Sequence, residues 1–555
     1  PFRKHMPLPE KNNRVIITSA LPYANGDLHI GHLLEHVQTD IWVRLLRANN
    51  IICHYVCASD AHGTPIMLRA RELETEPEKM VEEFRSSHMK DLGSFNISHD
   101  NFYTTHSEEN KYFSELIYNK AKESGFIESK QIEQLFDESA GLFLSDRYVK
   151  GTCPKCSAED QYGDNCEICG AKYEAAELIN PVSTISGQKP VVKTSEHVFF
   201  KLSKLETNVA NWMKATPLQE AVKNKLEEWF QQGLKDWDIS RDSPYFGFEI
   251  PDMPGKYFYV WLDAPIGYIA SLENHLRAKN DESAEEIWSE TANTEIYHFI
   301  GKDIMNFHAL FWPALLETSK FKKPSNVFVH GFLGLNGAKM SKSKGNFLSM
   351  RDYLDILDAD YIRYYLASKL SPSIDDIDLN YDDFQKKVNS DLVGKFVNIA
   401  SRSAGFLKKN DNQIGNSIDH EFYENFISSK NEITNLFADL EYSKAIKEIM
   451  KLADSANAYV DEKKPWILAK DEKNRDEVIK IASTTINLFR VINTYLKIVI
   501  PDTCSKGESF LNKKIGSIDD IDTPLTNHKL DSFSPILNRL EDEKLEALIQ
   551  RGSNG

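Results

Sequence analysis

Two short groups of residues carry side chains suited to phosphate chemistry. The histidine motif is His29-Ile30-Gly31-His32, and the lysine motif, residues 339–343, reads Lys-Met-Ser-Lys-Ser. Imidazoles can donate hydrogen bonds to phosphate oxygens, and lysines can neutralise the charge that builds on a departing phosphate group. Alone, the first motif could be two surface histidines on a helix, and the second a solvated basic loop. Together they predict a triphosphate site in which His29, His32, Lys339 and Lys342 are catalytic.

The elements around the histidine motif predict how it is positioned. Residues 14–18 form a β-branched run typical of a buried strand, residues 23–26 carry a turn signal, and residues 28–46 show helical periodicity. The motif would therefore lie where a strand gives way to a helix. Free backbone N–H groups and the positive end of the helix dipole would face a bound anion. Gly31 would leave room for its close approach.

The lysine motif lies between Gly337 and Gly345, which predicts a mobile loop. Such a loop could close over the same phosphates and place Lys339 and Lys342 on the leaving group. Losing one preorganised donor of this kind typically costs about 3–4 kcal/mol of transition-state stabilisation.

Four of the seven cysteines form a third group. Cys153 and Cys156 make one CxxC pair, and Cys166 and Cys169 make another. This spacing suits a closed tetrahedral Zn²⁺ site, one per chain and structural, with Gly163 and Gly170 loosening the turns. A redox pair or an emptied ancestral site are the alternatives. Cys53 and Cys57 lie on an apolar run and are interpreted as packing residues.

The hydrophobic and charged fractions are ordinary for a soluble globular protein. The chain has 555 residues, which implies about three or four domains. Its net charge of −17 means that any RNA binding would need local basic patches, for which residues 339–351 and 395–409 are candidates. Residues 1–5 are interpreted as an expression remnant before Met6. We find no membrane span or signal peptide, and the cysteine usage favours a cytoplasmic location.

Further stretches extend the pattern along most of the chain. They are residues 20–26 (Ala-Leu-Pro-Tyr-Ala-Asn-Gly), 60–66 (Asp-Ala-His-Gly-Thr-Pro-Ile), 150–156 (Lys-Gly-Thr-Cys-Pro-Lys-Cys), 237–242 (Trp-Asp-Ile-Ser-Arg-Asp), 259–268 (Tyr-Val-Trp-Leu-Asp-Ala-Pro-Ile-Gly-Tyr) and 299–304 (Phe-Ile-Gly-Lys-Asp-Ile). With the two motifs, these stretches resemble the bacterial methionyl-tRNA synthetases, class I aminoacyl-tRNA synthetases, in the branch with one zinc. Two departures are small: Ser59 replaces a common acidic residue, and Lys344 replaces a common arginine.

The resemblance implies roles for individual residues. It assigns methionine binding to Leu21, Tyr23, Asp60, Trp261, Ala264, Pro265, Tyr268, Ile304 and His308, and ATP binding to Gly31, Arg241, Gly301, Asp303 and Lys342. Asp60 follows an apolar run, so it would lie at the carboxyl end of a strand, where open α/β sheets bind ligands. Its carboxylate could hold an α-ammonium group. Trp261 and Tyr268 could form aromatic walls for a thioether, or could equally be core residues.

From residue 390 onward the pattern is almost wholly helical, and the resemblance implies an anticodon-binding module. Asn398 and Arg402 are four residues apart and share a helix face, and Trp466 follows Pro465 at a helix start. Aromatic, amide and guanidinium groups commonly read unpaired bases, so these three residues are the anticodon candidates. The alternative for Trp466 is a core position.

The expected fold is α/β: a Rossmann-type parallel sheet split by a zinc-binding insertion, followed by an all-α helical bundle. The divisions are an N-terminal extension (1–13), the first half of the catalytic domain (14–127), the insertion (128–247), the second half (248–332), the lysine loop with a linking region (333–389), and the helical domain (390–555).

The expected activity is ATP-dependent ligation of L-methionine to tRNA(Met) through methionyl-adenylate, with Mg²⁺ accompanying ATP. No membrane partner is expected. Because many relatives dimerise through an appended C-terminal domain that this chain lacks, a monomer is expected. The rivals are a leucyl, isoleucyl, valyl or cysteinyl enzyme, a catalytically silent tRNA-binding or scaffold protein, and a small nucleotidyltransferase. The first three usually carry a larger editing insertion, and cysteinyl enzymes use zinc at the substrate sulfur.

Overall fold

The computed structural model describes residues 5–554; the expectation for residues 1–4 lies outside this range. The first part of the chain forms β1 (Arg14–Ser19), α1 (Ile30–Ala48), β2 (Cys53–Ser59), α2 (Thr64–Glu72), α3 (Pro77–Ser94), β3 (Asn101–Thr104) and α4 (Glu108–Glu123). The predicted strand at residues 14–18 is confirmed. The predicted helix at residues 28–46 begins two residues later, at Ile30, because His29 is its N-cap.

The middle of the chain is mostly antiparallel. It contains β4 (Ile127–Asp137), β5 (Leu142–Phe143), β6 (Val149–Thr152), β7 (Gln161–Tyr162), β8 (Ile179–Ser183), β9 (Val191–Phe200), α5 (Glu206–Ala215), α6 (Glu220–Gln232), β10 (Trp237–Asp238) and β11 (Ser240–Asp242). One sheet has the order β10-β9-β4-β5, and a smaller one has the order β7-β6-β8. The smaller sheet carries the first cysteine pair directly after β6.

The chain then returns to the parallel sheet. It forms β12 (Lys256–Phe258), α7 (Val260–Ala278), α8 (Ala284–Ile287), β13 (Thr294–Gly301), a π-helical turn (Phe307–Phe311), α9 (Trp312–Ser319) and β14 (Asn326–His330). The sheet order is β14-β13-β1-β2-β3, and every neighbouring pair is parallel. Thr18 in β1 pairs with His298 on one side and Val56 on the other. The expected split α/β sheet is therefore confirmed.

The remaining chain is mainly helical. A linking region contains β15 (Leu333–Leu335), α10 (Met350–Leu354), α11 (Ala359–Lys369), β16 (Ile377–Leu379) and α12 (Tyr381–Lys387). The helical region contains a π-helical segment (Val388–Val397), α13 (Asn398–Ala404), α14 (His420–Ile427), α15 (Lys430–Ala438), α16 (Tyr442–Lys463), α17 (Pro465–Leu468), α18 (Arg475–Leu496), α19 (Pro501–Leu511) and α20 (Asp542–Asn554). Within the described range, no helix is both long and apolar enough to cross a membrane.

The sheet and the helical region share one buried interface along α1. The Arg363 guanidinium is fully buried: Nη2 lies 2.7 Å from Oδ2 of Asp40 in α1, and Nε donates to the Val499 carbonyl at 2.8 Å. Nearby, Trp42 Nε1 donates to the Ala438 carbonyl at 3.2 Å. The helix that begins with the histidine motif is therefore held against the helical region by polar bonds as well as by core packing.

Candidate active site

A cavity of about 880 Å³ lies along the carboxyl edge of the parallel sheet. Its floor is formed by residues just after β1 and β2 and at the ends of β13 and β14, where parallel α/β sheets generally bind ligands. The insertion covers it with two segments, residues 142–148 and 238–245, both of which contribute to the wall. The cavity is thus built where the split halves and the insertion meet.

Most predicted site residues reach this wall: Leu21, Tyr23, His29, Gly31, His32, Asp60, Arg241, Trp261, Gly301, Asp303, Ile304 and Lys339. Ala264, Pro265, Tyr268 and His308 do not, because they are buried in the adjacent core. Lys342 is exposed on its loop, outside the wall. The roles of these five residues stay predictions that would need a side chain or the loop to move.

The two histidines of the motif cap α1 reciprocally. Gly31 N–H donates to His29 Nδ1 at 3.0 Å, and His29 N–H donates to His32 Nδ1 at 3.1 Å. Since each Nδ1 accepts, each imidazole carries its proton on Nε2. Burial lowers the pKa of His29 to about 4 and, as the main cause, that of His32 to about 3, so both rings are neutral donors at pH 7.

The prediction of free backbone N–H groups at this helix start is wrong for Ile30 and Gly31. Ile30 N–H already donates to the Leu348 carbonyl at 3.1 Å, and Gly31 N–H to His29. Leu348, which follows the lysine motif in the chain, thus occupies the N–H of Ile30. The donors left for an anion are therefore the imidazole Nε2–H groups, supported by the helix dipole.

Gly31 does permit a close approach, but by the loop. A Cβ on Gly31 would lie 2.6 Å from Cε of Met340. Gly337 and Gly345 both have positive φ, at 86° and 65°. The lysine motif therefore packs over the start of α1, with Lys339 on the cavity wall and Lys342 Nζ 5.8 Å from the Phe347 ring centroid.

Asp60 lies directly after β2, as predicted. Its backbone is fixed by two hydrogen bonds of 2.9 Å, to the Pro22 carbonyl and from Ala24 N–H. Its Oδ1 is buried and has no hydrogen-bond partner in the described part of the chain. Burial, followed by the charge of Asp263, raises the pKa of Asp60 well above its usual range. A cationic ligand at this point would stabilise the carboxylate and satisfy the orphaned oxygen.

Beside Asp60 lies a buried pair that sequence reasoning missed. His62 Nδ1 lies 3.0 Å from Oδ2 of Asp263, and both side chains are fully buried. His62 Nε2 in turn lies 3.0 Å from Nδ1 of His106. Burial raises the pKa of Asp263 well above normal. A signal was available, because His62 and Asp263 each lie inside one of the motifs, at residues 60–66 and 259–268.

The aromatic residues divide between wall and core. Trp261 stacks on Phe307 with centroids 4.3 Å apart and planes 5° apart. Tyr268 donates its hydroxyl to His308 Nε2 at 2.9 Å, while His308 Nδ1–H points to the Ile304 carbonyl at 3.3 Å. The core alternative thus describes Tyr268, whereas Trp261 reaches the cavity.

At the opposite side of the cavity, Gly301 and Asp303 lie close together: a Cβ on Gly301 would be 2.6 Å from Asp303 Oδ1. Two further wall residues, Glu35 and His330, were missed; Glu35 Oε1 lies 3.1 Å from His330 Nε2. Although burial opposes it, the hydrogen bond and charge of Glu35 raise the pKa of His330. Only the fold brings these residues together, so no local pattern could have shown them.

Arg241 is held by the insertion. Its guanidinium lies 3.8 Å from the Tyr259 ring centroid and donates to the Ser240 carbonyl at 2.7 Å. Its neighbours Asp238 and Asp242 both contact His197, at 2.5 Å and 3.0 Å. No local pattern pointed to His197, which contacts the carboxylates on either side of Arg241.

The amino-acid sequence matches a known protein family over most of its length. The sequence model of the family described as tRNA synthetases class I (M) matches residues 15–404, which is more than half of the chain. The chain belongs to this family, as a methionine–tRNA ligase.

Solved structures agree with the fold of the synthetase. A Mycobacterium tuberculosis methionyl-tRNA synthetase in complex with methionyl-adenylate has a TM-score of 0.79 at 23% identity, covering 94% of this chain and 99% of the other. A second structure of that protein with methionyl-adenylate has a TM-score of 0.78 at 21% identity, with 94% and 99% covered. Its apo form has a TM-score of 0.73 at 21% identity, with 95% and 98% covered.

The four cysteines of the synthetase converge as predicted: their sulfurs lie within 4.8 Å of one another, so they could hold a metal ion. Cys153 and Cys169 sulfurs are 3.8 Å apart, and those of Cys156 and Cys166 are 3.5 Å apart. Gly170 has a positive φ of 71°, as a loosened turn requires. Gly163 serves a different purpose, because a Cβ there would lie 3.0 Å from the Asp146 carbonyl oxygen. Asp146 lines the cavity, so the segment that carries the four cysteines packs against residues 142–148 of the cavity wall.

The three anticodon candidates of the synthetase lie close together, since Asn398 and Arg402 both contact Asn457 and Arg402 lies beside Trp466. Trp466 is 42% exposed, which excludes the core alternative, and the Arg402 guanidinium lies 5.8 Å from its ring centroid. Asn398 Nδ2 donates to Oδ1 of Asn457 at 3.2 Å, and Arg402 pairs with Asp461. Pro465 is the first residue of α17, as predicted.

Proposed function

We propose that this synthetase activates L-methionine with ATP and then transfers the methionyl group to the 3′ end of tRNA(Met). The observation that supports this most is that a single cavity brings together two unlike sites. One is the orphaned, buried carboxyl oxygen of Asp60; the other is the pair of neutral imidazole donors at the start of α1. An amino acid needs the first, and a triphosphate needs the second.

In the first step, Asp60 holds the methionine ammonium, and Leu21, Tyr23, Trp261 and Ile304 surround the side chain. Tyr268 and His308 act from behind this wall, with Ala264 and Pro265 shaping the helix that carries Tyr268. The methionine carboxylate attacks the α-phosphorus of ATP, the bond to the bridging oxygen breaks, and pyrophosphate leaves with the electron pair. The product is methionyl-adenylate.

On the nucleotide side, Gly301 and Asp303 hold the adenosine, and Arg241 contacts ATP from the insertion. His29 and His32 donate their Nε2 protons to phosphate oxygens. The lysine loop closes so that Lys339 and Lys342 stabilise the charge on pyrophosphate, which is the electrostatic stabilisation expected of preorganised cations. Mg²⁺ accompanies ATP and shields its phosphates.

In the second step, a ribose hydroxyl at the tRNA 3′ end attacks the methionyl carbonyl, and AMP leaves. We propose that residues 390–555 bind the anticodon through Asn398, Arg402 and Trp466, and that the enzyme acts as a monomer. Arg402 beside Trp466 offers a stacking platform next to a hydrogen-bond donor, which suits an unpaired base.

Zn²⁺ is the metal proposed for Cys153, Cys156, Cys166 and Cys169. Four sulfurs at mutual distances within 4.8 Å match a closed tetrahedral site, which supplies a cross-link and no chemistry. Elemental analysis should find about one zinc per chain. The variant Cys166→Ser should lose it and loosen the cover of the cavity. Full thermal stability in a zinc-free preparation would contradict this role.

ATP–pyrophosphate exchange with each of the twenty amino acids tests the main proposal. Methionine alone should support rapid exchange, and the same preparation should then charge tRNA(Met) with labelled methionine. Exchange with leucine, isoleucine, valine or cysteine instead would reassign the substrate. Exchange without charging would contradict the second step, and no exchange at all would contradict the first.

A further inference from the structure

A second group of metal-binding side chains lies in the described chain, apart from the four-cysteine cluster. It consists of His36 in α1, Cys57 in β2 and His99 just before β3. One ligand atom from each lies within 4.8 Å of the others. The proposed reaction uses none of the three.

The three side chains have few competing partners. His99 Nε2 is buried without a hydrogen-bond partner in the described range. The Cys57 thiol contacts the Ser19 carbonyl at 3.3 Å, and His36 Nδ1 lies 3.2 Å from the Ser19 hydroxyl, so an ion would have to displace only Ser19 contacts of this kind. His36 lines the large cavity, which provides a path from solvent. Burial lowers the pKa of His36 well below normal and, as the main cause, that of His99 to about 4. Both imidazoles are therefore in the neutral form that binds metals.

We propose that His36, Cys57 and His99 form a second metal site, for a borderline or soft ion such as Zn²⁺ or Cu⁺, with a fourth position open toward the cavity. One thiolate and two imidazoles are ligands that such ions prefer. On binding, the sulfur–metal bond replaces the S–H bond of Cys57, and the proton leaves to solvent.

Occupation of this site would inhibit the enzyme. His36 shares α1 with His32 and Glu35, and His29 caps the same helix, so an ion held at His36 changes the wall that faces the nucleotide. This consequence rests on the proposed function, whereas the metal site itself does not.

Cobalt binding tests the site without relying on activity. Zinc-loaded protein is titrated with Co²⁺, and thiolate-to-cobalt absorption is recorded. Wild type should bind one extra Co²⁺ per chain with this band, and Cys57→Ala should abolish it. Cys53→Ala is the matched control, because Cys53 is a buried cysteine at the start of the same strand but outside the group. It should retain the band.

The variant His99→Phe guards against loss of folding. His99 packs against Tyr55 and Phe102 with centroids 4.5 Å and 5.4 Å away, and phenylalanine preserves a ring there. Mutating a residue that only supports a metal ligand typically weakens metal binding by about 10- to 100-fold. Because His99 would be a ligand itself, its loss should weaken Co²⁺ binding by more than about 100-fold. Wild type without an extra Co²⁺, or a band that survives in Cys57→Ala, would overturn the site.

Inhibition is measured separately. Excess Zn²⁺ should slow ATP–pyrophosphate exchange in wild type and Cys53→Ala, and should spare Cys57→Ala. Equal inhibition of all three would overturn the inhibitory role. If wild type shows no exchange with Mg²⁺–ATP in the absence of added Zn²⁺, the proposed function fails, while the cobalt result still decides the site.

Discussion

Where β2 ends, the cavity presents Asp60, a buried carboxyl with an orphaned oxygen, beside the buried pair of His62 and Asp263. Where α1 begins, it presents half-buried His29 and exposed His32, and His29 touches a loop with two glycines in the left-handed region. The first end is fixed by surrounding core, and the second depends on where a loop lies. A rigid, desolvated end suits selection of a small substrate, and a movable end suits charge that appears only during reaction.

The largest expected effect lies at the rigid end. Asp60→Asn keeps the size of the side chain but removes the charge that pairs with the methionine ammonium. Leaving one partner of a buried ion pair alone costs about 3–5 kcal/mol, so kcat/KM for methionine should fall by roughly 100- to 5,000-fold. Methionine-dependent exchange kinetics measure this. A KM for methionine equal to that of wild type would place the ammonium elsewhere.

At the movable end, Lys342→Ala should lower kcat for exchange by about 100- to 1,000-fold, since its charge is needed in the transition state. Aminoacylation should fall with it. Lys344→Ala is the matched control: it is also exposed on this loop, but the proposal gives it no role. If both variants lose activity equally, general loop charge matters rather than the position of Lys342.

The rigid end should also impose an acid sensitivity. Burial lowers the pKa of His308 to about 4, against about 6.5 in an unfolded chain. Between these values the unfolded chain binds a proton that the native state does not, so stability is full above pH 6.5 and declines toward pH 4. The loss from this group is about 3 kcal/mol at most. The free energy of unfolding in urea is measured at pH 7 and pH 4.5. The drop between the two pH values should be smaller in His308→Gln than in wild type. An equal drop in both proteins would refute His308 as the source of the acid sensitivity.

The smallest effect on activity is expected from Trp466, which lies in the helical region, away from both ends of the cavity. If Trp466 stacks on an anticodon base, Trp466→Ala should weaken tRNA binding by about 1–3 kcal/mol and leave exchange unchanged. The neighbouring Ile467 is 50% exposed and serves as the control, since Ile467→Ala removes apolar surface without an aromatic face. Loss of exchange in Trp466→Ala would mean that the residue supports the fold instead.

Local patterns predicted much of this architecture. The β-branched run at β1, the position of Asp60 after β2 and the paired cysteine turns all follow from short-range spacing. What could not be predicted depends on contacts between distant segments. Leu348 occupies the N–H of Ile30, and His197 contacts both Asp238 and Asp242. Neither His197 nor Leu348 belongs to a recognisable motif, so only the folded chain brings them to the site.

The buried Arg363 has a calorimetric consequence. Its guanidinium pairs with Asp40 under the sheet and donates to the Val499 carbonyl of the helical region, with no exposure to water. If either region melted alone, the other would keep an unpaired buried charge or carbonyl, at a cost of several kcal/mol. Heating should therefore give a single peak in which the calorimetric and van't Hoff enthalpies agree, so that the two regions share one melting temperature.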